Sequence, residues 1–247
     1  KLLMIGTGGT IAGAAPSSSQ TLGYTAGAIG IETLLDSMGP IAGAGNKPFA
    51  LTSVQPFSIG SQHMTSQHWL TLARLVSDAS ETHDGIAIAH GTDTMEETGF
   101  FLDLVCPRTT PIILTGAMRP ATAVSADGPA NLAFACRVAM DPQAHGRGVM
   151  VAFGHEAWLA CHARKIHTLR LAAFDGGQNE AQATLVSDSI AWRVMLEAAQ
   201  ADARTRPAFD LQRIEAQGSA LPRVGLITQH VDADPAIVDW HLSEGAR

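Results

Sequence analysis

The stretch Gly85–Glu97, G-I-A-I-A-H-G-T-D-T-M-E-E, leaves the chain little choice of fold. Ile86 to Ala89 is an unbroken apolar run. It is too short for a helix and lacks the alternation of a half-exposed strand, so it reads as a strand buried on both faces. Gly91 interrupts the run and Met95-Glu96-Glu97 opens a helix, so the segment is strand, tight turn, helix. Strands of this kind belong to parallel sheets with helices on both sides. Ligands bind such sheets in the crevice at the carboxyl ends of the strands, which sets Thr92 and Asp93 facing a crevice. There Thr92 can act as a nucleophile or as a hydrogen-bonding group. Asp93 and Glu96 also fit a helix-capping pattern, in which the Asp accepts helix amides and the Glu reaches back. A metal site at Asp93 with Glu96 or Glu97 lacks a His at ligand spacing.

The same punctuation recurs along the chain. Leu2–Ile5 runs into Gly6-Thr7-Gly8-Gly9-Thr10-Ile11-Ala12-Gly13, a strand and a glycine turn whose backbone can approach a ligand closely. It is not a dinucleotide loop, because Ile11 occupies the third small position, nor a P-loop, because no Lys follows Gly9. The turn presents a hydroxyl, Thr10. Further strands are expected at Phe49–Val54, Pro111–Gly116 and Gly148–Phe153. Helices are expected at Ile31–Met38, at Gln67–Ser77, from Met95 through Val105, and after Ser125-Ala126-Asp127-Gly128-Pro129, where Pro falls in the first turn. The expected fold is α/β, a Rossmann-like parallel sheet with helices on both faces. A large domain spans 1–200 and a charged, Pro-containing linker 201–222. A smaller α/β unit then begins at 223–247, with a strand at Val224–Thr228 and a helix at Pro235–Leu242 followed by Gly245.

Two polar loops lie between these elements. Ala14 to Gly27 holds few bulky apolar residues, a Ser run and the single Tyr of the chain, Tyr24, and reads as a mobile surface loop. Gly60-Ser61-Gln62-His63 precedes a helix, and its Ser-Gln pair can serve as a cap. Charged residues make up only 16% of the chain against 46% hydrophobic, as suits a buried sheet. A net charge of -7 argues against nucleic acid and against an anionic membrane surface, both of which attract excess Lys and Arg, so the expected partner is a small molecule. No run approaches the ~20 apolar residues of a membrane span. Cys106, Cys136 and Cys161 fit no metal or redox spacing and read as reduced core residues.

Taken in order, Thr7-Gly8-Gly9-Thr10-Ile11-Ala12-Gly13, Gly60-Ser61-Gln62, His90-Gly91-Thr92-Asp93-Thr94-Met95-Glu96-Glu97, Gly116-Ala117-Met118-Arg119-Pro120 and Ser125-Ala126-Asp127-Gly128-Pro129 closely resemble the bacterial-type L-asparaginases. The resemblance covers nearly the whole chain, and the Ser-Gln block is similar to the type II branch. It implies hydrolysis of L-asparagine to L-aspartate and ammonia, with lesser glutaminase activity and neither metal nor cofactor. By resemblance Thr10 is the nucleophile on a mobile lid, Tyr24 helps activate it, and Thr92 works opposite with Lys165. Arg164 is the neighbouring candidate for that cation. Asp93 and Gln62 would hold the substrate amino group and Ser61 its carboxylate. His63 departs from the family, which commonly carries an acid there. The resemblance further implies a homo-oligomer, a dimer of dimers, whose smaller domain completes the neighbouring active site, so the polypeptide is expected to continue past Arg247. A cytoplasmic location is expected, with a periplasmic one open to any leader upstream of Lys1. The alternatives are an amidase subunit of a glutamine amidotransferase and an inactive amino-acid-binding module.

Overall fold

Strand β1 (Leu2–Gly6) pairs in parallel with β2 (Leu51–Val54) on one side and with β3 (Gly85–Ala89) on the other. β3 pairs in parallel with β4 (Ile112–Thr115), and β4 with β5 (Val149–Phe153). The computed structural model describes residues 1–41, 48–194, 209–216, 218 and 221–246. They divide into two compact units, Lys1–Leu211 and Gln212–Arg247.

In the first unit the five parallel strands continue into an antiparallel edge. β6 (Glu156–Leu159), β9 (Ala183–Val186) and β10 (Ser189–Trp192) complete an eight-stranded sheet of order β10-β9-β6-β5-β4-β3-β1-β2. Sequence reading anticipates the parallel half only, so the sheet is mixed rather than wholly parallel. The remaining strands, β7 (Arg164–Lys165) and β8 (Phe174–Asp175), form a separate two-stranded antiparallel piece.

Alternation along the central strands sends side chains to both faces, and helices cover each. On one face Leu2, Met4, Ala87, Ile113 and Met150 join a core cluster with Ile31 and Leu34 of α1 (Ile31–Met38) and Leu132 and Ala135 of α4 (Gly128–Ala139). On the other, α3 (Met95–Val105) comes so close that a Cβ at Gly99 would stand 3.7 Å from both Leu114 and Val151. α2 (Ser66–Ala79) packs on α3 by stacking Trp69 against Phe101, ring centroids 5.3 Å apart. Leu70, Leu72, Ile86 and Ile88 are completely buried, and each aliphatic side chain of that size contributes about 1.5 to 3 kcal/mol when removed from water.

The second unit carries most of α5 (Leu211–Ala216) and α6 (Ala236–Ser243). No ladder forms at Val224–Thr228, where a strand is expected from sequence. Val224 and Leu226 are exposed there, and an apolar run becomes a strand only when a neighbouring strand accepts its hydrogen bonds. Within this unit Arg223 donates to the Glu244 carboxylate at 3.1 Å and lies 5.7 Å from the Trp240 ring centre. Of the linker expected at 201–222, residues 201–208, 217, 219 and 220 lie outside the described residues, as do 195–200 of the expected first domain.

Candidate active site

β1 and β3 end side by side, with Gly6 opposite Ala89, and both chains turn out of the sheet at that level. Gly8 and Gly9 take φ of 100° and 79°, a region closed to most L side chains, and so fold the chain back directly after β1. The turn is tied to the Ser61 loop by Gly9 N donating to the Ile59 carbonyl at 2.8 Å and Ile59 N donating to that of Thr7 at 3.0 Å. A single helical turn, Thr10–Ala12, follows and presents the Thr10 side chain. Its hydroxyl shares a 2.5 Å hydrogen bond with the Tyr24 phenol.

Tyr24 is carried by a loop whose base is closed where Ala14 and Thr25 exchange backbone hydrogen bonds of 3.0 and 2.9 Å. The loop lies against the segment after β4. Ala15 N donates to the Thr122 hydroxyl at 2.9 Å, Val124 N to the Ser18 carbonyl at 3.0 Å and Ala121 N to that of Gly13 at 2.9 Å. That segment is itself held by Asp127, whose carboxylate accepts from the Met118 and Arg119 amides at 2.9 and 3.0 Å.

Across from Thr10 lies the turn after β3. The Lys165 ammonium donates to Thr92 Oγ1 at 2.8 Å and to Asp93 Oδ1 at 2.6 Å. Thr92 is buried, whereas Asp93 is largely exposed. Arg164 turns its guanidinium back to the Ala163 carbonyl, so of the two neighbouring cations only Lys165 meets the Thr92 hydroxyl. The Ser61 hydroxyl accepts from Asp93 N at 3.2 Å and the Ser61 carbonyl accepts from the Thr94 hydroxyl at 3.0 Å. With its oxygen already accepting, Ser61 has its own proton left to donate, the role a carboxylate ligand requires. Thr10 and Tyr24 thus form one group, and Thr92, Lys165, Asp93 and Ser61 a second. Gln62 is exposed beside them, its amide folded over Gly60, and His63 is exposed as well.

Two capping readings are corrected. α2 is capped by Thr65, which exchanges hydrogen bonds with His68, and this leaves Ser61 and Gln62 outside the cap. α3 starts after Thr94 without a side-chain cap, and Asp93 and Glu96 turn to Lys165 instead of to helix amides.

Sequence reading assigns no role to a buried chain behind this site. Trp69 Nε1 donates to the Thr98 hydroxyl at 2.9 Å, Thr98 lies 3.1 Å from His90 Nε2, and His90 Nδ1 lies 2.7 Å from the Gly91 carbonyl. A carbonyl only accepts, so Nδ1 carries the proton and Nε2 accepts from Thr98. Burial pushes the His90 pKa down to about 4, so the ring is neutral. The one signal available in sequence is a His ending an otherwise apolar run. Glu96 is read from sequence only as a cap or metal candidate, and nothing there points to its carboxylate accepting from Lys165 N at 2.7 Å across 69 positions. Among the described residues no group of three or more His, Cys, Asp or Glu could hold a metal ion. None of the described helices is long and apolar enough to cross a membrane.

Residues 1–197 match the protein family described as Asparaginase, N-terminal. The chain is 36% identical over 245 residues to a probable periplasmic L-asparaginase of Haemophilus influenzae, covering 99% of this chain and 66% of that protein. It is 36% identical over 228 residues to a glutaminase-asparaginase of Acinetobacter glutaminasificans, covering 92% and 66%. With L-asparaginase 2 of Escherichia coli it shares 39% identity over 173 residues, 70% of this chain and 48% of that one. The crystal structure of a probable cytoplasmic L-asparaginase from Campylobacter jejuni superimposes with a TM-score of 0.86 at 32% identity, over 100% of this chain and 72% of that one. The chain therefore spans between about half and two thirds of the length of these curated relatives.

Proposed function

The chain belongs to the asparaginase family, and from that membership we propose that the protein hydrolyses the side-chain amide of L-asparagine to L-aspartate and ammonia, with Thr10 as nucleophile. The observation that carries this reading is the Lys165 ammonium hydrogen-bonded to both Thr92 and Asp93 on the turn beside Thr10. A fixed cation and a polarised hydroxyl on that turn support an acyl-transfer reading.

A Thr hydroxyl is a weak nucleophile until a neighbour takes its proton. In this reading Thr10 Oγ1 attacks the amide carbon, its proton passes by way of Tyr24 to the departing nitrogen, and ammonia leaves an ester on Thr10. Water then attacks the ester, the Thr10 hydroxyl is restored and aspartate is released. Thr92, held by Lys165, stabilises the tetrahedral oxyanion in both steps, a kind of contribution worth roughly 3 kcal/mol per donor. Ser61 donates to the substrate carboxylate. Asp93, whose second oxygen has no protein hydrogen bond among the described residues, accepts the substrate ammonium together with Gln62.

One of the relatives is named glutaminase-asparaginase, which supports a lesser glutaminase activity. The working unit in this reading is a homo-oligomer, a dimer of dimers, in which a partner's smaller domain completes the site. Ile166 and Leu169, exposed immediately after Lys165, are apolar surface that such a contact would cover. The proposed compartment is the cytoplasm, which cell fractionation tests. Ammonia release by the full-length protein from asparagine and from glutamine, with aspartate binding measured by calorimetry, tests the activity. Turnover of asparagine supports it, whereas aspartate binding without turnover makes the protein an amino-acid-binding module.

A further inference from the structure

We propose that Glu96 is a positioning residue for this reaction: by accepting the backbone N–H of Lys165 it sets where that residue's ammonium meets Thr92 and Asp93. The inference rests on the roles given above to Lys165 and Thr92.

Thr92 lies three residues past β3 of the eight-stranded sheet, and the turn before Thr10 is tied to β3 and to the Ser61 loop by Thr7 N donating to the Ala89 carbonyl at 3.0 Å and Gly9 N to that of Ile59 at 2.8 Å. Lys165 has no such support. It belongs to β7, two residues long, whose ladder among the described residues is with the equally short β8. That ladder is fastened on one side, where Ile166 N donates to the Ala173 carbonyl at 2.7 Å and the Phe174 ring lies 5.0 Å from that of Phe153. The opposite edge of β7 presents the Lys165 N–H, a donor that no neighbouring strand among the described residues receives. Glu96 receives it, at 2.7 Å.

Lys165 is consequently gripped at both ends by the start of one helix and the turn before it. Its amide is bound to Glu96 and its ammonium to Thr92 and Asp93. Between the two grips runs a flexible four-carbon stem, so the position of the backbone decides where the ammonium can reach. Without the Glu96 bond an edge of two residues is free to drift, and a misplacement of about 1 Å at a reacting group costs roughly 100-fold in rate. An acid in the first turn also complements the positive end of a helix, but Glu97 supplies that equally well. Only Glu96 faces Lys165, and Glu97 is exposed.

The test compares Glu96→Ala, Glu96→Gln and Glu97→Ala in the full-length protein. Glu96→Ala should lower kcat by roughly 30- to 100-fold with KM within about twofold. Glu96→Gln should recover to within about fivefold of the unsubstituted protein, because the carboxamide oxygen accepts the same N–H, and Glu97→Ala should match the unsubstituted protein. A second readout needs no turnover: acetylation of Lys165 by acetic anhydride, followed by peptide mass spectrometry with Lys1 as reference, should run several-fold faster in Glu96→Ala. Unchanged kcat and acetylation in Glu96→Ala would overturn the proposal, as would a Gln variant no better than the Ala variant or a KM rising in step with the loss of kcat. Were the unsubstituted protein not to release ammonia from asparagine, the proposed activity would fall, while the acetylation rates would still decide whether Glu96 positions Lys165.

Discussion

Gly9 and Gly91 meet backbone to backbone: a Cβ on Gly9 would stand 2.4 Å from the Cα of Gly91. Each glycine is followed directly by a hydroxyl-bearing residue, Thr10 and Thr92, so this contact brings the two halves of the site together. It needs two adjacent parallel strands, β1 and β3, ending at one level, and two residues without side chains where their turns touch.

Gly9→Ala should therefore destabilise the protein for two reasons, a steric clash with backbone that cannot give way and a φ of 79° unsuited to alanine. Gly146 has a similar φ of 76° but nothing within 4 Å of its Cβ position, so Gly146→Ala isolates the conformational part, about 1 to 2 kcal/mol. Urea denaturation should show Gly9→Ala losing about 2 kcal/mol beyond that. Equal midpoints for the two variants would mean that the Gly9 contact does not constrain the fold.

The two hydroxyls should prove to act as a unit. Thr10→Val and Thr92→Val each remove one reactive or polarising oxygen while nearly preserving volume, and each should lower kcat by roughly a thousandfold. The double variant should lose far less than the product of the single losses, since groups serving one transition state are not additive. Thr10→Val turning over asparagine near the unsubstituted rate would remove Thr10 from the chemistry.

How far sequence reading carried depended on whether the signal was local. Leu2–Ile5 and Ile86–Ala89 stand out as apolar runs ended by glycine turns, and the structure has strands there. The same patterns fix Thr10 and Thr92, because a residue just after a buried parallel strand faces the ligand edge. Lys165 is a different case. Its strand of two residues has no periodicity to read, and without the family resemblance nothing distinguishes it from Arg164. The antiparallel edge offers no unbroken apolar run to read: β6 opens on the exposed Glu156, and β9 and β10 are only partly buried. Val224–Thr228 shows the converse: a run apolar enough to be a strand, with no ladder to join.

The Tyr24 loop should act as a lid. From Ala15 to Gly23 it buries little, with Ser17, Ser18 and Ser19 exposed and Leu22 60% exposed, and its links to the body are the few hydrogen bonds around Thr122 and Val124. Segments held by so few contacts open at low cost. Hydrogen exchange of residues 15–23 should be fast without ligand and slow by roughly tenfold or more with aspartate bound. Thr122→Val, which removes the acceptor for Ala15 N, should speed exchange further. Equal protection with and without aspartate would make the loop a fixed wall and leave Tyr24 without a gating role.

Acid should weaken the fold through His90. Its folded pKa lies at about 4, lowered from 6.5 by burial, so below pH 6.5 the unfolded chain binds a proton that the folded chain refuses. For a group whose folded pKa is depressed, the associated stability is present above the unfolded value and is lost as pH falls toward the folded one. The window is therefore pH 6.5 down to about 4, and the full difference corresponds to about 3 kcal/mol at 1.36 kcal/mol per unit. The structural cause is specific: a proton on Nε2 would remove the acceptor that Thr98 donates to and set a buried charge beside Trp69. His90→Gln keeps an amide donor and a carbonyl acceptor but does not titrate. Urea unfolding of both proteins at pH 7 and pH 4.5 should show the unsubstituted protein losing about 2 kcal/mol more than the variant. Parallel losses in the two proteins would mean that His90 gains its proton without cost, and the buried relay behind Thr92 would then not be the rigid neutral chain that its hydrogen bonds describe.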